Sequence, residues 1–434
     1  MLVSAVVFLV KIYVQCGLVD AVLLLYRFFI RFHKIEPVKD AIGQDEARKE
    51  LKLCRCVVFH TSKVRSFDTQ TYLQVYVYVT LCHGTLQVSR FFSRLYYAFG
   101  LDALPVLLQF PSYRRSQDKA IDKYASEDQL NKKKAIKRDM RKCYYQIKAN
   151  PSEYFLMGLD TMSRKERAEF LTDKYMYMTM GKLIPRRVHD EEIENKVNFY
   201  NLAKDFFGRK VCCVECDADY DAFKHLALDV HDLIVKPNFA AMGSGIFAVS
   251  IDNEADARKV FEIIRGGGRG KWIIEERIKQ SKEMAALNES SCNTVRYLSF
   301  LNKSGFFAIT PFLRTGRKGS VVDNAGAGGI FANVDVKTGV VYTNGIDELG
   351  NEYECHPDSG IRFKGWQIPR YDEMVSTVRK MHRELMPSHP YIGWDMALTE
   401  KGWVVIECNW GQFINQYADH IGRKKEFLRY VYGK

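Results

Sequence analysis

The 434-residue chain is 47% hydrophobic and 27% charged, with a formal net charge of +12. That balance excludes a wholly disordered chain, and the length suits two to three domains or subdomains. The positive charge favours an anionic contact (nucleotide, acidic glycan, membrane or nucleic acid), and eleven scattered cysteines indicate reduced thiols in a cytosolic compartment.

Residues 1–35 open with an apolar stretch, Met1 to Ile30, interrupted by Lys11, Asp20 and Arg27. No uncharged run reaches the roughly 18 residues of a spanning helix, and no Ala-x-Ala site marks a cleaved signal peptide. The segment is read as a helix half-buried on another domain or lying at a membrane surface, with a true membrane anchor as the remaining reading. Residues 36–150 are expected to be mainly helical, with a charged helix from Asp40 to about Lys52 and aromatic-rich helices between Tyr72 and Phe110. Asn131 to Asn150 then carries eight Lys or Arg and one acid, which reads as a solvated basic helix face. Contact with an anionic membrane or a glycan-lipid stays open there, whereas nucleic acid is not expected. Cys212, Cys213 and Cys216, and the pair Cys54 and Cys56, lack the spacing of a zinc site.

Thr161 to Lys174 reads as a helix start with a cap and a charged first turn. From there short strands alternate with helices through an α/β region, 151–230. His231 to Pro237 is expected as a strand bearing Lys236, followed by Asn238 to Gly245 and a returning strand from Ile246 to Val249. A flexible turn with Gly243, Ser244 and Gly245 lets backbone N–H groups approach phosphate oxygens, and Lys236 supplies a mobile ammonium. The spacing matches neither the P-loop nor GxGxxG, so a plain hairpin is the other reading. A helix from Asn253 to Arg265 leads to the strand Lys271 to Ile278, whose exit carries Glu275 and Glu276. An apolar strand leaving through carboxylates suits the edge of an adenine and the hydroxyls of a ribose.

Gly393 to Leu398 and Trp403 to Asn409 form the last hairpin. A three-residue loop, Glu400-Lys401-Gly402 with Gly402 left-handed, pairs Thr399 with Trp403 and places Asp395 opposite Glu407. The period of two puts Glu407 and Asn409 on one face. Facing carboxylates need a cation between them, and Mg²⁺ takes such hard oxygen ligands while keeping waters and phosphates. Lys or Arg partners are the alternative. Arg296, at the start of a strand, suits a phosphoryl or acyl phosphate group. Asn324, in the loop Val321 to Ile330, brings an amide and backbone donors, and His356 is an acid–base candidate.

In order, Asp173-Lys174, VKP with MGSG, WIIEERI, NTVR, VDNAGAGG and GWDMAL…VVIECNWG resemble the ATP-grasp superfamily. They look most like its sugar-transfer-associated branch, over roughly Leu171 to the C-terminus. The resemblance implies an α+β ATP-grasp fold, with a nucleotide between a small lobe (231–285) and a large, metal-bearing lobe (286–434). It implies phosphate contacts from Lys174 and Lys236, adenine and ribose contacts from Glu275, Glu276 and Ile278, and a stabilising Arg296. It implies metal ligands Asp395, Glu407 and Asn409. The expected function is an ATP- and Mg²⁺-dependent ligase that joins a carboxylate to an amine or similar nucleophile through an acyl phosphate, in polysaccharide or glycoconjugate modification. A kinase on the same fold, and a noncatalytic nucleotide-binding partner of membrane glycan assembly, are the other readings. The expected location is cytoplasmic, with a peripheral place at the inner membrane face open.

Overall fold

The computed structural model describes residues 103–239, 245–266, 270–320, 323 and 328–433, without the side chains of 103–112, 114 and 186. The chain divides into two units, Met1–Pro111 and Ser112–Lys434, and both β-sheets belong to the second. The apolar opening, the charged helix from Asp40, the aromatic region before Ala103 and the Cys54–Cys56 pair lie outside the described residues. No described helix is long and apolar enough to cross a membrane.

Helix α1 (Ala103–Tyr124) and helix α2 (Lys133–Ile147) pair through a narrow apolar stripe. Ile136, Met140, Cys143 and Ile147 recur every three or four residues, so they share one face of α2 and bury against Ala120 and Ile121. The basic residues are displaced to the other side. Lys133 reaches Asp118 at 3.5 Å and Asp122 at 3.4 Å, and Lys137 also pairs with Asp118, so part of the positive face is already balanced.

Asn150 caps helix α3 (Pro151–Leu156), closing a capping box with Glu153. The expected helix from Thr161 to Lys174 is instead two separate starts. Ser163 and Glu166 do form a capping box, but its helix lasts only Arg164–Arg167. A new cap, Thr172, then opens helix α4 (Asp173–Leu183). The break falls where Leu171 turns inward and its N–H and carbonyl are taken by the Gln416 side chain, at 3.0 and 2.7 Å. One-turn pieces lead on to a π-helical turn, Asp190–Glu194, and helix α5 (Lys196–Ala203). This stretch is therefore helical, and its first strand comes only at β1 (Val211–Val214).

Glu153 ties the start of α4 to α3. Its carboxylate is 1% exposed and accepts the N–H groups of Asn150 and Asp173, both at 2.7 Å. Burial, with the charge of Asp173 beside it, pushes the Glu153 carboxyl up to about 8 from an ordinary 4.5. The folded state therefore holds a proton that the unfolded state has lost, so stability falls as pH rises from about 4.5 through 8. Asp173→Asn removes the neighbouring charge. Urea unfolding at pH 5 and pH 8.5 should show a smaller stability loss for this variant than for the parent, and an equal loss would contradict the coupling.

The small sheet has the order β1-β4-β2-β3, all antiparallel, and comprises β1, β2 (Asp232–Pro237), β3 (Phe247–Ser250) and β4 (Trp272–Glu276). It begins twenty residues before the expected lobe border at 231, because β1 supplies its edge. Helices α6 (Tyr220–Val230) and α7 (Glu254–Gly266) cover one face, where Phe223, Leu226, Val260 and Phe261 pack on Leu233, Val235, Trp272 and Ile274. Strand alternation sends Ile234, Lys236, Ile273 and Glu275 to the other face.

The large sheet has the order β11-β10-β5-β6-β7-β8-β9. Its strands are β5 (Thr294–Asn302), β6 (Gly305–Thr315), β7 (Ile330–Asn333), β8 (Gly345–Asp347), β9 (Glu352–Tyr353), β10 (Tyr391–Thr399) and β11 (Gly402–Asn409). Helix α8 (Tyr371–Leu385) and α5 cover one face, over Tyr297, Trp394, Met396 and Val405. Helices α4 and α9 (Lys424–Tyr432) cover part of the other, over Leu298, Phe300, Phe312 and Tyr391. Polar side chains gather where this second face emerges from its helices.

Candidate active site

A cavity of about 1430 Å³ is lined by residues of both sheets. On the small-sheet side, β2 and β4 pair with Ile234 opposite Glu275 and Lys236 opposite Ile273. Lys236 Nζ therefore sits diagonally beside Glu275, 2.8 Å from its Oε1. Arg209 Nε donates to Glu275 Oε2 at 2.8 Å, and its Nη1 donates to the Val405 carbonyl of β11 at 2.8 Å. One guanidinium thus links the two sheets. The turn before it needs glycine: Gly208 has φ +57°, and a Cβ there would meet Val404 at 2.4 Å. Burial alone would raise the Glu275 carboxyl, but the charges of Arg209 and Lys236 outweigh it and hold it below the ordinary range. Two cations against one carboxylate leave a net positive charge at the wall.

On the large-sheet side, β5, β10 and β11 are neighbours, and their register aligns Arg296, Asp395 and Glu407 across three strands. The hairpin reaches this register differently from the expectation. Its loop is the two residues Glu400-Lys401, so Thr399 pairs with Gly402 and Leu398 with Trp403. A bulge between Asp395 and Met396 absorbs Ile406 and restores Asp395 opposite Glu407.

On this row Asp395 takes the alternative of arginine partners. Arg296 grips both Asp395 oxygens, with Nη2 donating at 2.7 Å, and Arg314 Nη1 adds a bond at 3.0 Å. Guanidinium groups therefore already neutralise Asp395 and hold its carboxyl low against the effect of burial. Arg314 also donates to Asp323 at 2.8 Å, and Thr294 donates its hydroxyl to the same carboxylate. Arg296 Nη1 reaches Asn409 Oδ1 at 3.1 Å. Glu407 differs from Asp395: among the described residues its carboxylate has no hydrogen-bond or ion-pair partner. Burial, then the negative charge of Asp395, raises its carboxyl, while Lys196, Lys236 and Arg296 act on it as more distant positive charges.

An unpartnered, half-buried carboxylate with an amide oxygen nearby suits a hard divalent cation that brings its own waters and phosphate oxygens. No group of three His, Cys, Asp or Glu among the described residues forms a ready metal set.

Of the expected residues, Lys236, Glu275, Glu276, Ile278, Arg296, Asp395, Glu407 and Asn409 all line this one cavity. Glu276 is tied to the β1 edge, its carboxylate accepting the Lys210 N–H at 3.1 Å. Lys174 does not line the cavity. It lies exposed on α4, its ammonium bonded to the Tyr144 hydroxyl and 4.7 Å from that ring's centre, because the helical turn carries it toward α2. Gly245 is a left-handed turn residue outside the lining, and Gly243, Ser244 and Asn324 lie outside the described residues. His356 is fully buried away from the cavity. Its Nε2 faces the Gly316 carbonyl at 3.0 Å and its Nδ1 accepts backbone N–H groups, so it pins a loop. Residues the motifs did not single out are Lys196, Arg209, Arg314 and Asp323.

The sequence profile of sugar-transfer associated ATP-grasp proteins matches residues 180–419, more than half of the chain. The chain belongs to this family. Among curated proteins nothing matches. Solved structures with the ATP-grasp fold include D-alanyl-alanine synthetase A from Vibrio cholerae, 12% identical, covering 56% of this chain and 65% of that one at a TM-score of 0.35. The ATP-grasp ligase PsnB with minimal precursor, Mg and ADP is 13% identical, over 57% of this chain and 61% of its own, at 0.34. N5-carboxyaminoimidazole synthetase from Staphylococcus aureus with ADP is 12% identical, over 56% and 52%, at 0.33. The chain thus spans between 52% and 65% of the length of these three. The ATP-grasp family member has a mixed α and β architecture, with its cavity flanked by the two sheets.

Proposed function

We propose that the chain is an ATP- and Mg²⁺-dependent ligase, and the observation that carries this reading is the unpartnered Glu407 in the same cavity as the Lys236–Glu275–Arg209 cluster. In the reaction class, a substrate carboxylate takes the terminal phosphoryl group of ATP to give an acyl phosphate and ADP. The nucleophile's nitrogen then forms a bond to the acyl carbon, the acyl C–O bond breaks, phosphate leaves with the electron pair, and the nitrogen loses its proton to solvent.

The residues' roles follow from their charges. Lys236, held between sheet and cavity by Glu275, presents an ammonium to phosphate oxygens with its position fixed in advance. Arg209 keeps Glu275 from neutralising Lys236 fully. Arg296, whose orientation Asp395 sets, presents its remaining N–H groups to the transferring or acyl phosphate. Ile278 and the exit of β4 border the adenine side, with Glu276 near the ribose. Glu407 would hold Mg²⁺, with Asn409 beside it and Asp395, already bonded by Arg296 and Arg314, opposite it on β10. When bound, the metal neutralises outer phosphate charge as a hard Lewis acid. Substrates from polysaccharide or glycoconjugate chemistry suit the family's description, and the free cysteines among the described residues suit a reducing compartment. Basic residues of α2 outside its ion pairs, such as Lys134 and Arg138, would serve a peripheral contact with the inner membrane face.

The test is incubation of the full chain with ATP, Mg²⁺, hydroxylamine and a panel of small carboxylates. The ligase reading expects hydroxamate and ADP together with at least one acid. A phosphorylated, hydroxylamine-stable product would make the chain a kinase instead.

A further inference from the structure

A second cavity, of about 700 Å³, adjoins the first and shares Tyr177, Glu194 and Trp410 with it. The nucleotide and metal roles leave it unused. His189, Asp190 and Phe239 complete its distinctive wall.

The π-helical turn Asp190–Glu194 builds this wall. A π-turn bonds residues five apart, so His189 and Glu194 lie above one another. His189 Nε2 is 3.5 Å from Glu194 Oε1, and its Nδ1 is 3.4 Å from Asp190 Oδ1. The imidazole packs on Trp410 with ring centres 4.0 Å apart, and Tyr177 lies 5.9 Å from the same indole. His189 is 9% and Trp410 6% exposed, yet His189 Nε2 and Trp410 Nε1 both lack a hydrogen-bond partner. Two buried ring nitrogens without a hydrogen-bond partner lie beside this one cavity, His189 Nε2 within ion-pair distance of Glu194, and such atoms cost free energy unless a polar group bonds them.

The chemistry of the wall selects that ligand. Two carboxylates and three aromatic rings line it, and none of its described lining residues is Lys or Arg. Carboxylates and aromatic faces attract a cation and repel an anion. The wall therefore disfavours the substrate carboxylate and favours a cationic partner, beyond the His189 ring that both acids already flank. The indole N–H adds a place for a hydroxyl or carbonyl oxygen on the same molecule.

We propose that this second cavity is the acceptor subsite, binding a primary amine as its ammonium, with Glu194 and Asp190 as its counter-charges and Trp410 and Tyr177 as its aromatic wall; one ammonium proton leaves to solvent before the freed lone pair attacks the acyl carbon. The assignment rests on the ligase reading above. It is tested on the full chain saturated with AMPPNP and Mg²⁺, by calorimetric titration with ethanolamine, ethylamine and putrescine, and with acetate and glucose as comparison ligands. Amines should bind in preference to acetate and glucose. Glu194→Gln and Asp190→Asn should each weaken ethanolamine by roughly tenfold, as expected for loss of a charge-assisted contact. AMPPNP, titrated into each variant in parallel, reports whether the nucleotide site is intact. If AMPPNP binds but amines bind no better than glucose, or bind equally to both variants, the acceptor assignment falls while the ligase reading stands. If AMPPNP does not bind the parent chain, both fall.

Discussion

Glu407→Gln is expected to lose Mg²⁺-dependent turnover by on the order of 10³-fold while unfolding at a higher temperature than the parent. The two effects have one cause. The carboxylate is half-buried, has no partner among the described residues, and faces the negative charge of Asp395. Holding it ionised costs the folded protein stability, so an amide of the same shape should add about 1 kcal/mol by removing that repulsion. The same substitution removes the hard oxygen proposed to hold Mg²⁺. ADP release at varied Mg²⁺, together with thermal unfolding followed by circular dichroism, reads both effects. A variant that turns over normally and melts lower would make Glu407 a fold-keeping residue.

Arg314→Ala should be among the most destabilising single changes in the chain, by about 3–5 kcal/mol. Its guanidinium bonds Asp395 at 3.0 Å and Asp323 at 2.8 Å, and each of the three residues is at most 8% exposed. Removing it leaves Asp323 with only the Thr294 hydroxyl among the described residues and leaves Arg296 as the guanidinium on Asp395. Either acid must then remain charged without adequate compensation or take up a proton. Urea unfolding measures the loss. Adding Asp323→Asn to Arg314→Ala should recover part of it, since one uncompensated charge goes with it. A single variant within 1 kcal/mol of the parent would contradict this picture of the network.

How much of this was legible in the sequence depended on the range of the interaction. Lys236 was visible because a short strand, a glycine turn and a returning strand are local patterns. Glu275 was visible as a carboxylate at a strand exit, but not its commitment to Arg209, which lies 66 residues away and has no motif of its own. The pairing of Asp395 with Glu407 was inferred from a three-residue loop and a regular ladder. A two-residue loop and a compensating bulge produce the same pairing, and a period of two cannot reveal a bulge. Two facing acids raise the question of which cation separates them. Arg296 and Arg314 answer for Asp395 and leave Glu407 alone, a division that only cross-strand neighbours decide. An arginine at the end of the apolar strand FAITPFLRT was the available signal for Arg314. Lys174 was placed by order along the chain, and order does not fix which side of a helix a side chain occupies.

One cavity, on the proposed function, brings a phosphate-binding lysine and a metal-binding glutamate together around ATP. Calorimetric titration of ATP into the full chain, with and without Mg²⁺, tests it most directly when repeated on Lys236→Met and Glu407→Gln. Mg²⁺ should tighten ATP binding to the parent, Lys236→Met should weaken it with or without the metal, and Glu407→Gln should abolish only the Mg²⁺ increment. ATP affinity that is indifferent to Mg²⁺ and to both substitutions would contradict the claim.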